Sequence, residues 1–400
     1  MSQPPQDSVE PAVPTATLSQ APPVKHIALQ EPPAEELHHG VSAAASNNSK
    51  KGDNAGEVRS SSGWDGKQRV NHATLVNPEA ISDPEYSDDE NVLAGEQIAA
   101  DEAILDNEDP NADEIVLTQS RISSLSSLRL ERFKKVARLC FRQNQITRIE
   151  GLEPLAATLR DLDFYDNLIS HMRNLESLTG LTSLDLSFNK IKHIKNIESL
   201  TQLTDLFFVA NKISTIEGLD TLVNLRSLEL GSNRIREITN LQALQNLEEL
   251  WLAKNKITDL TGLHNLPKLR LLSIQSNRIR DLAPLQAVPS LEEVYLSHNA
   301  VDSLVGLQHN TRLKTLDISH NPVRSLAGLS GLADLEELWA SYCHVADFQE
   351  LDRELADKKG LTTVYFEGNP LQLRAPALYR NKVRLALPQV KQIDATFIRV

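Results

Sequence analysis

Cysteine is scarce in this sequence, and long apolar runs are missing. Only Cys140 and Cys343 occur among the 400 residues, and the repeat pattern described below separates them by nine repeats, beyond the reach of a disulfide. We therefore interpret the chain as an intracellular protein with reduced thiols. The N-terminus has neither the basic nor the apolar segment of a signal peptide, and no apolar run is long enough to span a membrane. These absences predict a chain that is neither secreted nor inserted into a membrane.

Motifs that bind phosphates or metal ions are also missing. The sequence contains no G-x-x-x-x-G-K-[ST], G-x-G-x-x-G, C-x-x-C or H-E-x-x-H pattern. His298 and His320 occupy equivalent positions in neighbouring repeats and should approach each other, but such a pair is more typical of solvated surface than of a ligand set. We predict that the protein is not an enzyme and that it holds no metal or cofactor.

Basic residues are absent from residues 70–120, which contain 14 Asp and Glu. Residues 1–120 hold 22 acidic and 6 basic side chains, a charge of −16, whereas residues 121–400 carry +3 of the net charge of −13. Residues 1–110 are rich in Pro, Ser, Gln, Ala and acids and show no sustained periodicity, so they cannot bury enough apolar surface to offset the entropy of ordering. We predict a disordered acidic N-terminal region at 1–110. Within it, Trp64 beside two bases and Ser87 before three acids are weak candidates for a binding motif and a phosphorylation site.

An asparagine recurs every 22 residues through the middle of the chain. These asparagines are Asn167, Asn189, Asn211, Asn233, Asn255, Asn277, Asn299 and Asn321. The surrounding text reads L-x-x-L-x-L-x-x-N-x-I-x-x-I-x-x-L-x-x-L, for example at 225–244. This is the leucine-rich-repeat pattern.

The repeat predicts both a fold and its core. Alternating leucines suit a short strand, and the later three-residue spacing suits a 3₁₀ or short helical return. One repeat cannot bury its own apolar edge, so copies must stack into a solenoid whose strands form a parallel sheet with a spacing of about 4.8 Å. We predict an α/β leucine-rich-repeat solenoid of about 12 turns at 111–372 with a concave parallel sheet and a degenerate first turn. A cap at 373–400 should contain a helix that ends before Pro388.

Strand geometry predicts which side chains lie on the concave face. Because side chains alternate along a strand, the residue between the last two leucines of each repeat should point away from the core. This column reads Cys140, Asp163, Asp185, Phe207, Glu229, Trp251, Ser273, Tyr295, Asp317, Trp339 and Tyr365. Two of the chain's three tryptophans lie in it, although aromatics make up only 4% of the sequence. The column two places earlier carries acids, among them Asp205, Glu249, Glu293 and Glu337.

Exposed aromatics beside acids are typical of a protein-interaction hot spot. In the alternative interpretation, the aromatics cover one another along the sheet and the acids only solvate it. Nucleic-acid binding is not expected on this face, because its carboxylates repel phosphate.

Three features of the sequence resemble those of one family of leucine-rich-repeat proteins. They are the 22-residue repeats, the strand texts L-E-L-G-S-N at 228–233 and V-Y-L-S-H-N at 294–299, and the closing Y-R-N-K-V-R-L-A-L-P-Q-V-K-Q-I-D-A-T-F at 379–397. Over residues 111–400 the chain resembles the regulatory subunit 7 family of protein phosphatase 1. The resemblance implies a non-catalytic regulator that binds the phosphatase catalytic subunit on its concave face. The matching positions are Asp185, Phe207, Glu229, Trp251, Asp317, Glu337, Trp339 and Tyr365. Trp251 stands where the family also has phenylalanine.

The resemblance also implies a setting for the protein. It suggests a location in nucleus and cytoplasm, a role in the cell cycle and chromosome segregation, phosphatase inhibitor 3 as a further partner, and a monomer outside the complex. The alternative is a leucine-rich-repeat scaffold of the spliceosomal or axonemal type, which would hold a different partner.

Overall fold

The computed structural model describes residues 104–398. The predicted disordered region at 1–110 therefore falls almost entirely outside the described residues, and Trp64 and Ser87 lie outside them too. Leu105 is only 1% exposed and packs against the core, so the packed part of the chain includes a residue ahead of the predicted boundary at 111.

Fourteen short strands form one sheet within the described residues, and they are ordered along the sheet as they are along the chain. Twelve of them have three residues: β1 Glu114–Val116, β2 Arg138–Cys140, β3 Asp161–Asp163, β4 Ser183–Asp185, β5 Asp205–Phe207, β6 Ser227–Glu229, β7 Glu249–Trp251, β8 Leu271–Ser273, β9 Glu293–Tyr295, β10 Thr315–Asp317, β11 Glu337–Trp339 and β12 Thr363–Tyr365. All twelve are parallel to their neighbours, and equivalent residues pair directly, as Leu206 does with Leu228. This arrangement confirms the predicted leucine-rich-repeat solenoid.

The core is a continuous stack of mainly aliphatic side chains. The central residue of every strand from β2 to β12 is fully buried, as Leu228 is in β6. The isoleucines and leucines of the returns, such as Ile235 and Leu241, close the same core from the other side. Burial on this scale stabilises each repeat only against its neighbours, since no single turn encloses its own side chains.

The repeating asparagines bond the turns to one another. The Nδ2 of Asn233 donates to the carbonyl oxygens of Phe208 at 2.8 Å and Leu230 at 3.1 Å, and its Oδ1 accepts from the backbone N–H of Ile213 at 2.9 Å. These backbone groups would otherwise be buried without partners. At Cys343 the thiol replaces the amide and contacts the Ile318 carbonyl oxygen at 3.2 Å.

The returns contain few regular helices. Five 3₁₀ helices occur in the described chain, at Ser126–Leu128, Leu130–Arg132, Glu153–Leu155, Thr261–Asn265 and Ala283–Ala287. The longer return after Cys343 forms helix α1, Phe348–Leu355, whose N-terminus is capped by the Asp347 carboxylate. The extra residues of this repeat thus complete two turns of α-helix.

The C-terminal cap contains helices α2, Pro370–Leu373, and α3, Pro376–Ala386, so the predicted cap helix ends two residues before Pro388. Two features of the cap were not predicted. Strand β13, Gln392–Ile393, continues the parallel sheet beside β12, and β14, Thr396–Phe397, pairs antiparallel with β13. The Tyr379 hydroxyl of α3 donates to Asp394 Oδ2 at 3.0 Å and ties the helix to this last turn.

No helix in the described part of the chain combines the length and the hydropathy needed to cross a membrane.

Candidate protein-binding surface

The outer residues of each strand point away from the core. In β6, Leu228 is fully buried, whereas Ser227 and Glu229 on either side of it are half-buried. Because neighbouring strands pair in register, these outer residues form two straight columns along the sheet. We call this surface, formed by the first and third residues of β3 to β12, the ladder face.

The eight predicted contact residues form two groups on the ladder face. The first group contains Asp185, Phe207, Glu229 and Trp251, which are direct neighbours on β4 to β7. Together with Asp205 and Glu249 we call it the acidic cluster. The second group contains Asp317, Glu337, Trp339 and Tyr365 on β10 to β12. Together with Glu293 and Tyr295 of β9 we call it the aromatic cluster.

Asp185 lies at one end of the acidic cluster and is held by two donors. Its Oδ1 accepts from the backbone N–H of Ser187 at 2.8 Å, and its Oδ2 accepts from Arg142 Nη2 at 3.2 Å. Burial is the largest influence on this carboxyl and raises its pKa, against the lowering effect of the Ser187 hydrogen bond. Asp185 therefore fixes the turn that follows β4 as well as contributing charge.

Glu229 is a carboxylate without a counter-charge. Burial, together with the neighbouring charges of Asp185 and Glu249, raises its pKa to about 7. Within the described residues no hydrogen bond or ion pair involves its side chain. Phe207 is its register neighbour on β5 and presents an apolar ring, which cannot solvate the charge. Near neutral pH this carboxyl is therefore divided between its protonated and ionised forms.

The aromatic cluster is connected by ring contacts. The Trp339 ring meets Tyr295 edge-on at a centroid distance of 6.0 Å and Tyr365 at 5.9 Å. Edge-to-face packing of this kind is a favourable arrangement of aromatic rings. Gln392 Nε2 donates to the Tyr365 hydroxyl at 2.7 Å, so a residue of the cap orients the last ring of the row.

Asp317 lies beneath these rings. It is on β10, between the strands of Tyr295 and Trp339, and the residue is only 6% exposed. Its Oδ1 accepts from the backbone N–H of Ser319 at 2.9 Å. The other seven predicted contact residues are half-buried, so Asp317 is the least accessible of the eight and has a clear structural role in its turn.

Acid and aromatic residues are paired within single strands, a feature that the sequence analysis did not use. Trp339 Nε1 donates to Glu337 Oε2 at 3.1 Å, and the Tyr295 hydroxyl donates to Glu293 Oε2 at 2.8 Å. A longer contact of 3.4 Å joins Trp251 Nε1 to Glu249 Oε2. The sequence shows this pairing as an acid two residues before an aromatic on the alternate strands β7, β9 and β11. Residues two apart on a strand lie on the same face.

Two further groups of contacts border the ladder face. Arg142, in the turn after β2, bonds both Asp163 and Asp185 and lies 4.6 Å from the centroid of the Tyr165 ring. At the other end, the rings of His298 and His320 stack at 4.1 Å, which confirms that these histidines approach each other. His320 in turn stacks on Tyr342 at 4.6 Å. Among the residues that the structure describes, no group of His, Cys, Asp and Glu could hold a metal ion.

The arrangement suits binding of a protein with a basic and apolar surface. The acidic cluster includes Glu229, which has no counter-charge among the described residues. The aromatic cluster offers rings whose polar atoms already have partners. Such rings can contact an apolar surface without leaving polar groups unsatisfied.

Family models match several parts of the solenoid. Residues 223–265, 245–287, 267–309 and 289–332 match a model described as leucine rich repeats in two copies. Residues 173–192 match a second model, described as a leucine rich repeat.

Curated relatives match over shorter segments. A segment of 54 residues is 65% identical to protein phosphatase 1 regulatory subunit SDS22 of Schizosaccharomyces pombe and covers 14% of this chain and 16% of that protein. A segment of 78 residues is 46% identical to SDS22 of Saccharomyces cerevisiae, covering 19% and 23%. A segment of 52 residues is 58% identical to human protein phosphatase 1 regulatory subunit 7, covering 13% and 14%. Each match therefore spans less than a quarter of the relative's length.

Solved structures share the fold. An internalin of Listeria monocytogenes aligns with a TM-score of 0.57 at 22% identity and covers 72% of this chain and 87% of its own. A leucine-rich-repeat protein of Leptospira interrogans aligns with a TM-score of 0.53 at 23% identity, covering 66% and 73%. The chain is therefore a leucine-rich-repeat protein whose homologues include the SDS22 and regulatory subunit 7 proteins of protein phosphatase 1, which confirms the family resemblance of its sequence.

Proposed function

We propose that this protein is a non-catalytic regulatory subunit that binds the catalytic subunit of type-1 serine/threonine protein phosphatase through the ladder face. The names of its homologues support the choice of partner. The observation that carries the choice of surface is the register of the strands, which brings all eight predicted contact residues onto one face in two clusters.

The acidic cluster would receive basic side chains of the phosphatase. An Arg or Lys placed near Glu229 would supply the missing counter-charge and stabilise the ionised carboxylate. Binding would then release a proton from the fraction of molecules in which Glu229 is protonated. The remaining acids of the cluster would attract a basic surface over a longer distance and speed its encounter.

The aromatic cluster would supply the apolar anchor. The rings of Tyr295, Trp339 and Tyr365 contact one another before any partner binds, so little conformational freedom is lost on association. Large aromatic residues that become fully covered in a complex contribute on the order of 2 kcal/mol or more each.

Capture of the phosphatase by the purified chain tests the proposal. The Trp251→Ala and Trp339→Ala double variant should lose most of its binding, whereas Leu385→Ala with Phe397→Ala should not. The control residues are 83% and 73% exposed and lie in the cap, outside the ladder face, so their loss removes apolar surface elsewhere. Thermal unfolding of each variant checks that the solenoid is intact.

Undiminished capture by the folded double tryptophan variant would reject the ladder face as the binding surface. Affinity purification from cells with identification of the bound proteins tests the partner independently. Recovery of spliceosomal or dynein proteins in place of a phosphatase would favour the alternative scaffold. Nuclear and cytoplasmic location, a role in chromosome segregation and the involvement of inhibitor 3 stay predictions.

A further inference from the structure

A second row of side chains runs along the solenoid beside the asparagines. From Asn144 to Asn299, the residue after each repeat asparagine donates its backbone N–H to an isoleucine carbonyl of the preceding repeat. Examples are Lys190 to Ile169 at 2.8 Å and Arg234 to Ile213 at 2.8 Å. This bond keeps successive repeats in register here, as strand pairing does on the sheet. Equivalent side chains therefore stack one repeat apart, about 4.8 Å from the next.

Five consecutive members of this row are basic. They are Lys190, Lys212, Arg234, Lys256 and Arg278, and we call them the basic ladder. Arg234 and Arg278 are exposed and the three lysines are half-buried, whereas the asparagine before each one and the isoleucine after it point inward. Two residues further along the chain, Lys192, Arg236 and Arg280 extend the positive surface.

The bases are not required by the repeat itself. The same position holds Gln145 and Leu168 before the basic ladder and Ala300 and Pro322 after it. The backbone bond of the row is kept at Leu168 and at Ala300, at 2.9 Å in each case, so an apolar residue satisfies the framework equally well. The positive charge is thus confined to five repeats by the sequence and not by the fold.

Part of this charge has no counter-charge in the described chain. The side chains of Lys190, Lys212 and Lys256 make no hydrogen bond or ion pair with any residue that the structure describes. Lys190 and Lys212 are neighbours in the row, so their like charges repel each other. An anionic partner would relieve that repulsion.

We propose that the basic ladder binds an extended acidic peptide segment of a protein partner. The five residues of the basic ladder span about 19 Å at the spacing of neighbouring strands. About six residues of extended chain would cover that length. The left-handed turn residues, such as Ser232 with φ of 56°, lie between the basic ladder and the ladder face. The two surfaces can therefore be occupied together.

Neighbouring residues favour a peptide over a nucleic acid. Exposed acids, Glu237, Asp259 and Asp281, border the basic ladder on the side of the returns, and the carboxylates of the ladder face lie beyond the turns. The positive strip is therefore narrow, and a duplex would bring some of its phosphates over acids. The five positions contain no aromatic residue on which a base could stack.

Fluorescence anisotropy with labelled octaglutamate and the full chain tests the proposal. Lys190→Glu, Lys212→Glu and Lys256→Glu combined should weaken peptide binding about tenfold or more. The matched control reverses the charges of Lys135, Arg312 and Lys359, which are exposed and lie outside the basic ladder. This control should change the affinity for octaglutamate less than about twofold. The triple variant with Gln at the same three lysines controls for misfolding caused by charge reversal. It should lose less peptide affinity than the Lys→Glu variant.

Three results would overturn the proposal. The first is an equal loss of octaglutamate affinity in the basic-ladder variant and the control variant. The second is no binding of octaglutamate by the unmodified chain at low salt. The third is binding of a single-stranded oligonucleotide that depends on the basic ladder and is tighter than binding of octaglutamate. The variant with three reversed lysines in the basic ladder should still capture the phosphatase, because its substitutions lie outside the ladder face. Failure of this proposal is thereby distinguished from failure of the proposed function.

Discussion

The acidic cluster and the aromatic cluster are built on the same backbone but differ in how their polar groups are satisfied. In the aromatic cluster the carboxylates of Glu293 and Glu337 each accept a hydrogen bond from a ring two residues away. In the acidic cluster Glu229 is half-buried without a partner among the described residues, and its pKa is raised to about 7. One end of the face is complete by itself, and the other would gain a counter-charge from a bound cation.

This difference teaches that one repeat framework supports two kinds of recognition. The aromatic end is ordered before binding and suits an apolar anchor. The acidic end holds unbalanced charge, so it suits a partner that brings cations and it should respond to pH and salt.

Removing Trp339 should have the largest effect on the aromatic end. Trp339→Ala deletes the ring that joins Tyr295 to Tyr365 and uncovers the buried Asp317. We expect phosphatase affinity to fall by about 2 kcal/mol, or roughly 30-fold, in calorimetric titration. Trp339→Phe keeps an aromatic ring and should lose much less. Equal losses for the two variants would argue against ring packing as the source of affinity.

Neutralising Glu229 should stabilise the folded protein at high pH. The folded-state pKa is about 7 against a usual value of 4.5, so ionisation on raising the pH through this window disfavours the folded state. Glu229→Gln should therefore raise the free energy of unfolding by on the order of 2 kcal/mol near pH 8 and have little effect near pH 4.5. Urea unfolding at both pH values measures this, with the exposed Glu131→Gln as control. A difference that does not change with pH would contradict the assignment.

Glu337 should matter through the hydrogen bond that it accepts from Trp339. Glu337→Ala removes the acceptor of the indole N–H and should weaken phosphatase binding by about 1 kcal/mol. Glu337→Gln keeps an acceptor oxygen and loses only the charge. If the two variants bind alike, charge and not ring orientation is the contribution of this residue.

Salt should affect phosphatase binding mainly through the acidic cluster. This is the smallest of the four predicted effects. Asp205→Asn with Glu249→Gln should slow phosphatase association a few-fold at about 50 mM salt and very little at about 500 mM. Dissociation should change less than association. Stopped-flow kinetics measures both rates, with the exposed pair Glu131→Gln and Glu198→Gln as control. The same salt dependence in that control would locate the steering charge elsewhere.

Much of the fold could be predicted from the residues because the repeat is strongly periodic. Alternation around Leu228 predicts that Glu229 points out of the core, and the fixed interval of 22 residues aligns Glu229 with Phe207 and Trp251. The short strands β13 and β14 could not be predicted, since two residues show no periodicity and Asp394 between them adopts a left-handed conformation with φ of 50°.

The candidate site was predicted less completely. Sequence position places Asp317 and Glu229 in the same column, yet Asp317 lies under two rings and bonds its own turn, whereas Glu229 has neither feature. The distinction depends on the direction in which rings from strands two apart lean across the sheet. Equivalent positions in a repeat therefore need not be equivalent in accessibility.

The sequence by itself determined the stacked repeats, the inward leucines and asparagines and the identity of the outward columns, because these follow from the period of the chain and the alternation of a strand. Only the tertiary structure decided which carboxylates are paired, which have a raised pKa and which aromatic rings meet. Those properties depend on side chains that are distant in sequence and become neighbours only when the turns stack.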